Sequence, residues 1–351
     1  MKSNERHRRK TARGATIRDV AAHAGVSPMT VSRVINGEDN VKSETRDLVN
    51  SAIRELSYAP NPAARSLAGS APARIGLLYD NPSTGFLSEF LVGVLDESSR
   101  TGAQVVLERC LDGESAMAAL EKMLAAGVEG LILPPPLCES REIRAAVRKS
   151  KAVAVAVAQG LPSADFASIR IDNRAAAFEM TQHLLKLGHR RLGFVQGPAN
   201  QSISDERLQG FLAAMAEAGV DPASACVETG QFTYRSGLEA AERLLARHPR
   251  PTAIFAANDD MAAAILATAH REGLVVPQDI SVAGFDDTPM ASTVWPALTT
   301  IRQPIAAMAR AAVDLVLEEI RRRRVGGEPG QPMHPHMLVV RESTGPAPPD
   351  R

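Results

Sequence analysis

Apolar residues recur at helical spacing through the first sixty positions and switch to short strand-like runs after residue 73. Ile17, Val20 and Ala21 form one helical stripe, which Gly25 ends. Thr16 and Asp19 bracket its start as a capping box does: the Thr hydroxyl caps first-turn amides and Asp19 meets the positive helix end. Ser27 and Pro28 open a second helix, which carries Val31, Val34 and Ile35 inward and stops at Asn36-Gly37. A third helix starts at Ser43 and turns Val49, Ile53 and Leu56 inward. Two short helices joined by a tight glycine turn, closed by a third, form a helix-turn-helix.

From Arg74 onward, strand-like runs at 74–79, 104–109, 130–134, 152–158, 168–172, 191–197, 226–230, 252–258 and 280–286 follow one another. Helical stretches such as 87–101, 114–126, 174–187, 204–218 and 234–247 fall between most of them. This alternation predicts doubly wound parallel sheets, and so many strands predict two sheets, hence two lobes. The expected fold class is therefore an all-α helix-turn-helix head plus an α/β two-lobed effector domain.

Composition narrows the setting. The 351 residues are 44% hydrophobic and 23% charged, as in globular domains with real cores. No apolar run is long enough to span a bilayer, and no apolar stretch follows the basic N-terminus as in a signal peptide. Cys110, Cys138 and Cys226 are odd in number and far apart, which fits reduced thiols in a cytoplasm. The net charge of zero hides an asymmetry. Residues 1–70 hold 12 Lys and Arg against 7 Asp and Glu, while the remainder holds 28 against 33. A basic head on an acidic body directs only the head toward a polyanion.

In a helix-turn-helix the second helix enters the major groove. With Val31, Val34 and Ile35 inward, Pro28, Met29, Thr30, Ser32, Arg33 and Asn36 fall on or near the groove side. Arg33 suits a bidentate contact to guanine and Met29 an apolar contact to a thymine methyl. Thr16, Ser27, Thr30 and Asn36 suit phosphate oxygens. The segment Asn61–Gly69 is short, weakly amphipathic and too short to hold a helix alone.

Ligands of doubly wound folds bind at the carboxyl ends of strands. Polar residues there are Asp80, Asp172-Asn173, Asn258-Asp259 and Asp286-Asp287, with Arg207 early in a helix and Phe232 after a strand. Each Asp or Asn also suits a helix cap or turn. Together they suit a polyol: carboxylates and amides bind hydroxyls, Arg offers a donor fork, and an aromatic covers an apolar ring face. Tyr79 and Phe86 either line the same cleft or pack within a lobe.

The run TIRDVAAHAGVSPMTVSRVINGEDNVKSETRDLVNSAIRELSYAPNPAARSLAG resembles the N-terminal domain of the lactose-repressor (LacI/GalR) family. The runs GHRRLGFVQG (188–197), RLQGF (207–211), PTAIFAANDDMA (251–262), VPQDISVAGFDD (276–287) and PALTTIRQP (296–304) extend the likeness through 74–345. The resemblance implies two periplasmic-binding-protein-like lobes with an effector between them. It also implies a hinge in which Leu67 is an apolar minor-groove wedge, with Asn61 and Ala64 beside it. It makes Arg207 and Asp286 regular effector contacts, and Asp172, Asn258, Phe232 and Gln303 further ones; Asp80 and Phe86 are also assigned to the site.

The division expected is a basic arm at 1–15, a head at 16–60, a hinge at 61–70, and an effector-binding and dimerisation domain at 71–345. The partners expected are near-palindromic operator DNA, a sugar or sugar derivative, and a second copy of the chain, with no cofactor, metal or membrane. A purine- or nucleoside-responsive regulator is the alternative within the family. The tail after Val340 lacks the apolar heptads of tetrameric members, so a dimer is expected. The four Arg at 321–324 read as a solvated helix end. A solute-binding protein would need a signal peptide and no head. An enzyme would need a nucleophile or cofactor motif, and none is found.

Overall fold

The computed structural model describes residues 15–35, 41–56, 58, 72–80, 83–111, 113–160, 166–323 and 330–349. The chain divides into two compact units, Met1–Pro72 and Ala73–Arg351.

The first unit holds helices α1 (Ile17–Ala24), α2 (Pro28–Ile35) and α3 (Ser43–Glu55). Both halves of the capping box form: Asp19 N–H donates to Thr16 Oγ1 at 3.4 Å, and Thr16 N–H donates to Asp19 Oδ2 at 2.8 Å. Gly25 ends α1 at φ 66°, a left-handed conformation that costs glycine little. Ser27 Oγ accepts from Thr30 N–H at 3.1 Å and caps α2. Val20, Ala21, Val31, Val34, Val49 and Ala52 form the core, with Ile17, Ile35, Ile53 and Leu56 packed against it. His23 on α1 reaches Glu55 on α3 at 2.7 Å, tying the first helix to the third.

The second unit holds two sheets. The first has the order β2-β1-β3-β4-β5, all parallel, from Gln104–Arg109, Arg74–Tyr79, Gly130–Leu133, Val153–Val157 and Ala167–Ile169. The second has the order β11-β10-β9-β8-β6-β7, from Met337–Val339, Thr299–Arg302, Ser281–Asp286, Ala253–Ala256, Leu192–Gln196 and Cys226–Thr229. Its strands are parallel except β11, which runs antiparallel to β10. The central strands β3, β8 and β9 are buried along their whole length, as expected where helices cover both faces. Among the described residues, no helix is long and apolar enough to cross a membrane.

Two features escaped the sequence pattern. Strand β10 reads TTIR, and its Thr299 and Thr300 are buried behind hydrogen bonds rather than apolar. The chain then returns to the first sheet: the helix Ile305–Arg322 packs on β3, β4 and β5 and on the helix Thr84–Thr101.

After α4 (Thr84–Thr101), α5 (Gly113–Ala125) and α6 (Arg141–Lys149), helices α7 (Asn173–Lys186) and α8 (Ser202–Glu217) pack closely in the second lobe, and Gly210 permits it. A Cβ at Gly210 would collide with the Arg174 carbonyl oxygen of α7. Gly210→Ala is therefore expected to push the two helices apart and cost about 1–3 kcal/mol. The urea midpoint should fall with an unchanged slope; a wild-type midpoint would show that the crossing absorbs a methyl group.

Candidate functional site

The carboxyl ends of strands in both sheets open onto a cleft. The first lobe contributes Ser83 and Phe86 around the start of its first helix, Pro135 after β3 and Ala158 after β4. The second contributes Gln201, Ile203 and Arg207 from the start of α8, Phe232 after β7, Asn258 after β8, Asp286 at the end of β9, and Gln303 after β10.

The structure thus gathers Phe86, Arg207, Phe232, Asn258, Asp286 and Gln303 in one place. Asp80 and Asp172 do not line this cleft. The Asp172 carboxylate accepts from Ala175 N–H at 2.8 Å and caps α7, the local role open to any Asp before a helix. Asp80 follows β1, which ends at Tyr79; both are half-buried, and neither is among the lining residues. Asn258 is inside, but its amide is occupied: Oδ1 accepts from Met261 N–H at 3.0 Å, and Nδ2 donates to the Phe232 carbonyl at 3.0 Å.

Gln201 was missed. It precedes α8 at the N-cap position, is 6% exposed, and its side chain makes no capping bond. Gln is a poor N-cap residue, and one placed there after a strand is the sequence signal that could have found it.

Arg207 is 3% exposed and fixed on three sides. Its Nε–H donates to Asn173 Oδ1 at 3.0 Å, an Nη1–H donates to the Ala257 carbonyl at 2.5 Å, and its face lies 3.6 Å from the Phe285 ring centroid. Asp286 Oδ1 lies 3.9 Å from Nη1 and accepts from Gln303 Nε2 at 2.6 Å. Neither Arg207 Nη2 nor Asp286 Oδ2 takes part in these contacts. Burial pushes the Asp286 carboxyl up to about 7, against the pull of Arg207 and Gln303. Burial likewise lowers Arg207 to about 10, against the carboxylates around it. Asp259, wholly buried behind Asp286, is held by Thr288 N–H at 2.8 Å and Thr300 Oγ1 at 2.7 Å; burial raises it well above the usual range.

Backbone strain concentrates here. Of the described non-glycine residues at positive φ, Ala158 (52°), Phe232 (55°) and Asp286 (115°) line the cleft, and Asp287 (59°) adjoins it. Such conformations cost about 1–3 kcal/mol each and persist where surroundings enforce them. Polar contacts bridge the lobes beside the cleft, among them Gly160 N–H donating to Ser202 Oγ at 3.1 Å. Ser83 Oγ donates to Asp260 Oδ2 at 2.7 Å, and Glu139 accepts from Ser202 N–H at 2.9 Å and from its hydroxyl at 2.8 Å.

In the head, α2 turns Met29 outward at 67% exposure; Ser27, Pro28 and Arg33 are exposed, and Thr30 and Ser32 half-buried. Thr16, also exposed, is engaged with Asp19. Asn36, Asn61, Ala64 and Leu67 lie outside the described residues.

Residues 16–61 match the family of bacterial regulatory proteins described as the lacI family, and residues 181–344 match a periplasmic binding protein-like domain. Catabolite control protein A of Priestia megaterium is 33% identical over 331 residues, covering 94% of this chain and 99% of that protein. The chain belongs to the lacI family. To this lacI-family chain the HTH-type transcriptional repressor PurR of Salmonella paratyphi B is 35% identical, over 95% and 98% of the two chains. The structure of a Lac repressor dimer bound to operator and the anti-inducer ONPF has a TM-score of 0.76 at 30% identity, covering 95% of this chain and 100% of that one. A complex of the regulator CelR with cellobiose has a TM-score of 0.70 at 31% identity, covering 94% and 99%. The two-lobed, periplasmic-binding-protein-like fold expected from the sequence is thus the fold observed. The protein is a DNA-binding transcriptional regulator controlled by a small molecule.

The buried Asp286 gives the fold a pH signature. Its folded pKa of about 7 exceeds the ordinary 3.8, so its contribution to stability is full below about pH 4 and is lost as pH rises through about 7. Asp286→Asn removes this contribution. The stability of wild type minus variant should fall between pH 4 and 7; a flat difference in melting temperature over that range would contradict the assignment.

Proposed function

We propose that this regulator is a repressor that releases or engages a near-palindromic operator in response to a sugar or sugar derivative in the cleft. One observation carries the reading: the buried Arg207 guanidinium and Asp286 carboxyl line the cleft 3.9 Å apart, offering a donor fork and an acceptor, while Phe86, Ile203 and Phe232 supply apolar walls. That pairing suits vicinal hydroxyls on a ring with an apolar face. The cellobiose held by the CelR relative supports it. In this reading Gln201 and Gln303 complete the polar lining, and Asn258 positions the Phe232 loop. No bond of the effector is altered; turnover of a bound sugar would overturn this part.

The operator is read by Arg33 and Met29, with Pro28 and Ser32 beside them and Thr16, Ser27, Thr30 and Asn36 on phosphates. Leu67, with Asn61 and Ala64, supplies the contact at the operator centre. The arm is assigned to 1–15, the head to 16–60, the hinge to 61–70, and effector binding and dimerisation to 71–345. The chain acts as a cytoplasmic homodimer, a reading supported by the operator-bound Lac repressor dimer.

Thermal-shift screening of sugars and nucleobases, followed by operator binding with each hit, tests the effector class. A sugar should raise the melting temperature and change operator affinity; a response to nucleobases alone would replace this reading with a purine-responsive one. Arg207→Ala and Asp286→Ala should each weaken that response sharply, shifting it to higher sugar concentration, while leaving operator binding intact.

The DNA side is separable. Deleting residues 1–70 should abolish operator binding and spare effector binding; loss of both would contradict the division. Leu67→Ala should weaken binding to a selected operator far more than to random duplex, measured by fluorescence anisotropy, and equal losses would remove its assigned role.

A further inference from the structure

The acidic helix position next to Arg207 poses a physical problem. Glu206 precedes Arg207 on α8 and is half-buried near the lobe crossing, where a Cβ on Gly160 would lie 2.9 Å from its carboxyl carbon. Its carboxylate interacts electrostatically with Arg207 and so competes for the guanidinium with whatever enters the cleft. The Asn173 amide stands between them. Its Oδ1 accepts from Arg207 Nε–H at 3.0 Å, and its side chain also hydrogen-bonds the Glu206 carboxylate, which fixes the amide N–H toward the acid.

We infer that Asn173 is the positioning residue of the effector site: it insulates Arg207 from Glu206 and locks the guanidinium with its Nη2 edge toward the cleft. This rests on the reading of the cleft as the effector site.

The geometry requires a residue that accepts on one side and donates on the other, at a place where α7 begins and α8 passes. Asn173 is 1% exposed at the first position of α7, so solvent cannot replace either bond. The Ala257 carbonyl alone leaves the guanidinium free to pivot about one hydrogen bond, and the Phe285 ring restrains it only to a plane. The bond at Nε removes that last freedom. A preorganised donor fork loses less on binding than one that must be ordered by its ligand. Asn173 touches no effector in this account; it acts through Arg207.

The test uses the full chain in two arms. In the first, ¹⁵N-arginine labelling reads hydrogen exchange at Nε–H. The Arg207 resonance is identified by its loss in Arg207→Lys or Arg207→Gln, whichever keeps the wild-type circular dichroism. Asn173→Ala, or Asn173→Ser if the first does not fold, should speed that exchange at least tenfold; Asn173→Asp, which keeps the acceptor, should hold it slow. Wild-type exchange in a folded Asn173→Ala or Asn173→Ser variant overturns the assignment.

In the second arm, calorimetry with D-glucose, D-ribose and cellobiose as probes measures affinity. For any probe the wild type binds, the Ala or Ser variant should raise Kd about tenfold, the loss of one hydrogen bond to a charged group. In an Arg207→Ala background the same change should add nothing. Additive losses would make Asn173 a packing residue only. If no probe binds wild type, the sugar reading falls, and the exchange rates still decide the role of Asn173.

Discussion

Burying a guanidinium in the floor of the cleft is the constraint around which the second unit is arranged. An uncompensated buried charge is expensive, so Arg207 must be met on every side by groups that do not also block it. The structure meets it with a carbonyl at the end of β8, an amide at the start of α7 and an aromatic face from β9. Parallel sheets make this possible, because successive strands end at the same edge and each supplies one group. Asp286 balances the charge from 3.9 Å without a hydrogen bond, which leaves both groups with unspent capacity. A tighter pair would stabilise the fold and spoil the site.

The same constraint accounts for the strained backbone. Phe232 and Asp286 must turn side chains into the cleft immediately after strands end, and a positive φ achieves that turn in one residue. Asn258 secures the first by bonding the Phe232 carbonyl, and Gln303 secures the second by bonding the Asp286 carboxylate. These amides therefore earn their place as supports of the residues that face an effector. Asp259 extends the support downward, linking β10 through Thr300 to the turn at Thr288.

Much of this was legible in the sequence, for physical reasons that can be named. The head's capping box, glycine turn and apolar stripe are local signals, and they appear at Thr16, Gly25 and Val31 as read. Strand ends were legible because their apolar runs stop at polar residues, which led to Asn258 and Asp286; Arg207, early in the helix after a strand, joined them through the family resemblance. Asp172 and Asp80 carry the same local signal without lining the cleft; Asp172 caps a helix, since a cap and a ligand contact use the same residue types at the same position. Only the tertiary fold separates them. Strand β10 was hidden because its buried face uses threonine hydroxyls, and the return of Ile305–Arg322 to the first lobe has no local signature. Gln201 was passed over, and Asn173, named beside Asp172 at its strand end, was given no role of its own, because an amide announces no chemistry until its partners are known.

The contacts between the lobes bear on how an effector can act. Ser83 with Asp260, and Glu139 with Ser202, join the lobes through groups of the chain itself. Closure is therefore not stabilised by an effector alone, and the equilibrium between lobe arrangements has a contribution fixed by sequence. An effector can bias that equilibrium only by its differential affinity for the two arrangements. The positions where this bias can arise are those that touch both an effector and a bridging contact. Ser83 lines the cleft while holding Asp260, and Gln201 lines it immediately before Ser202. A ligand atom near either residue acts on the bridge and on the pocket together, which is the physical requirement for a binding event to become a change in the arrangement of lobes.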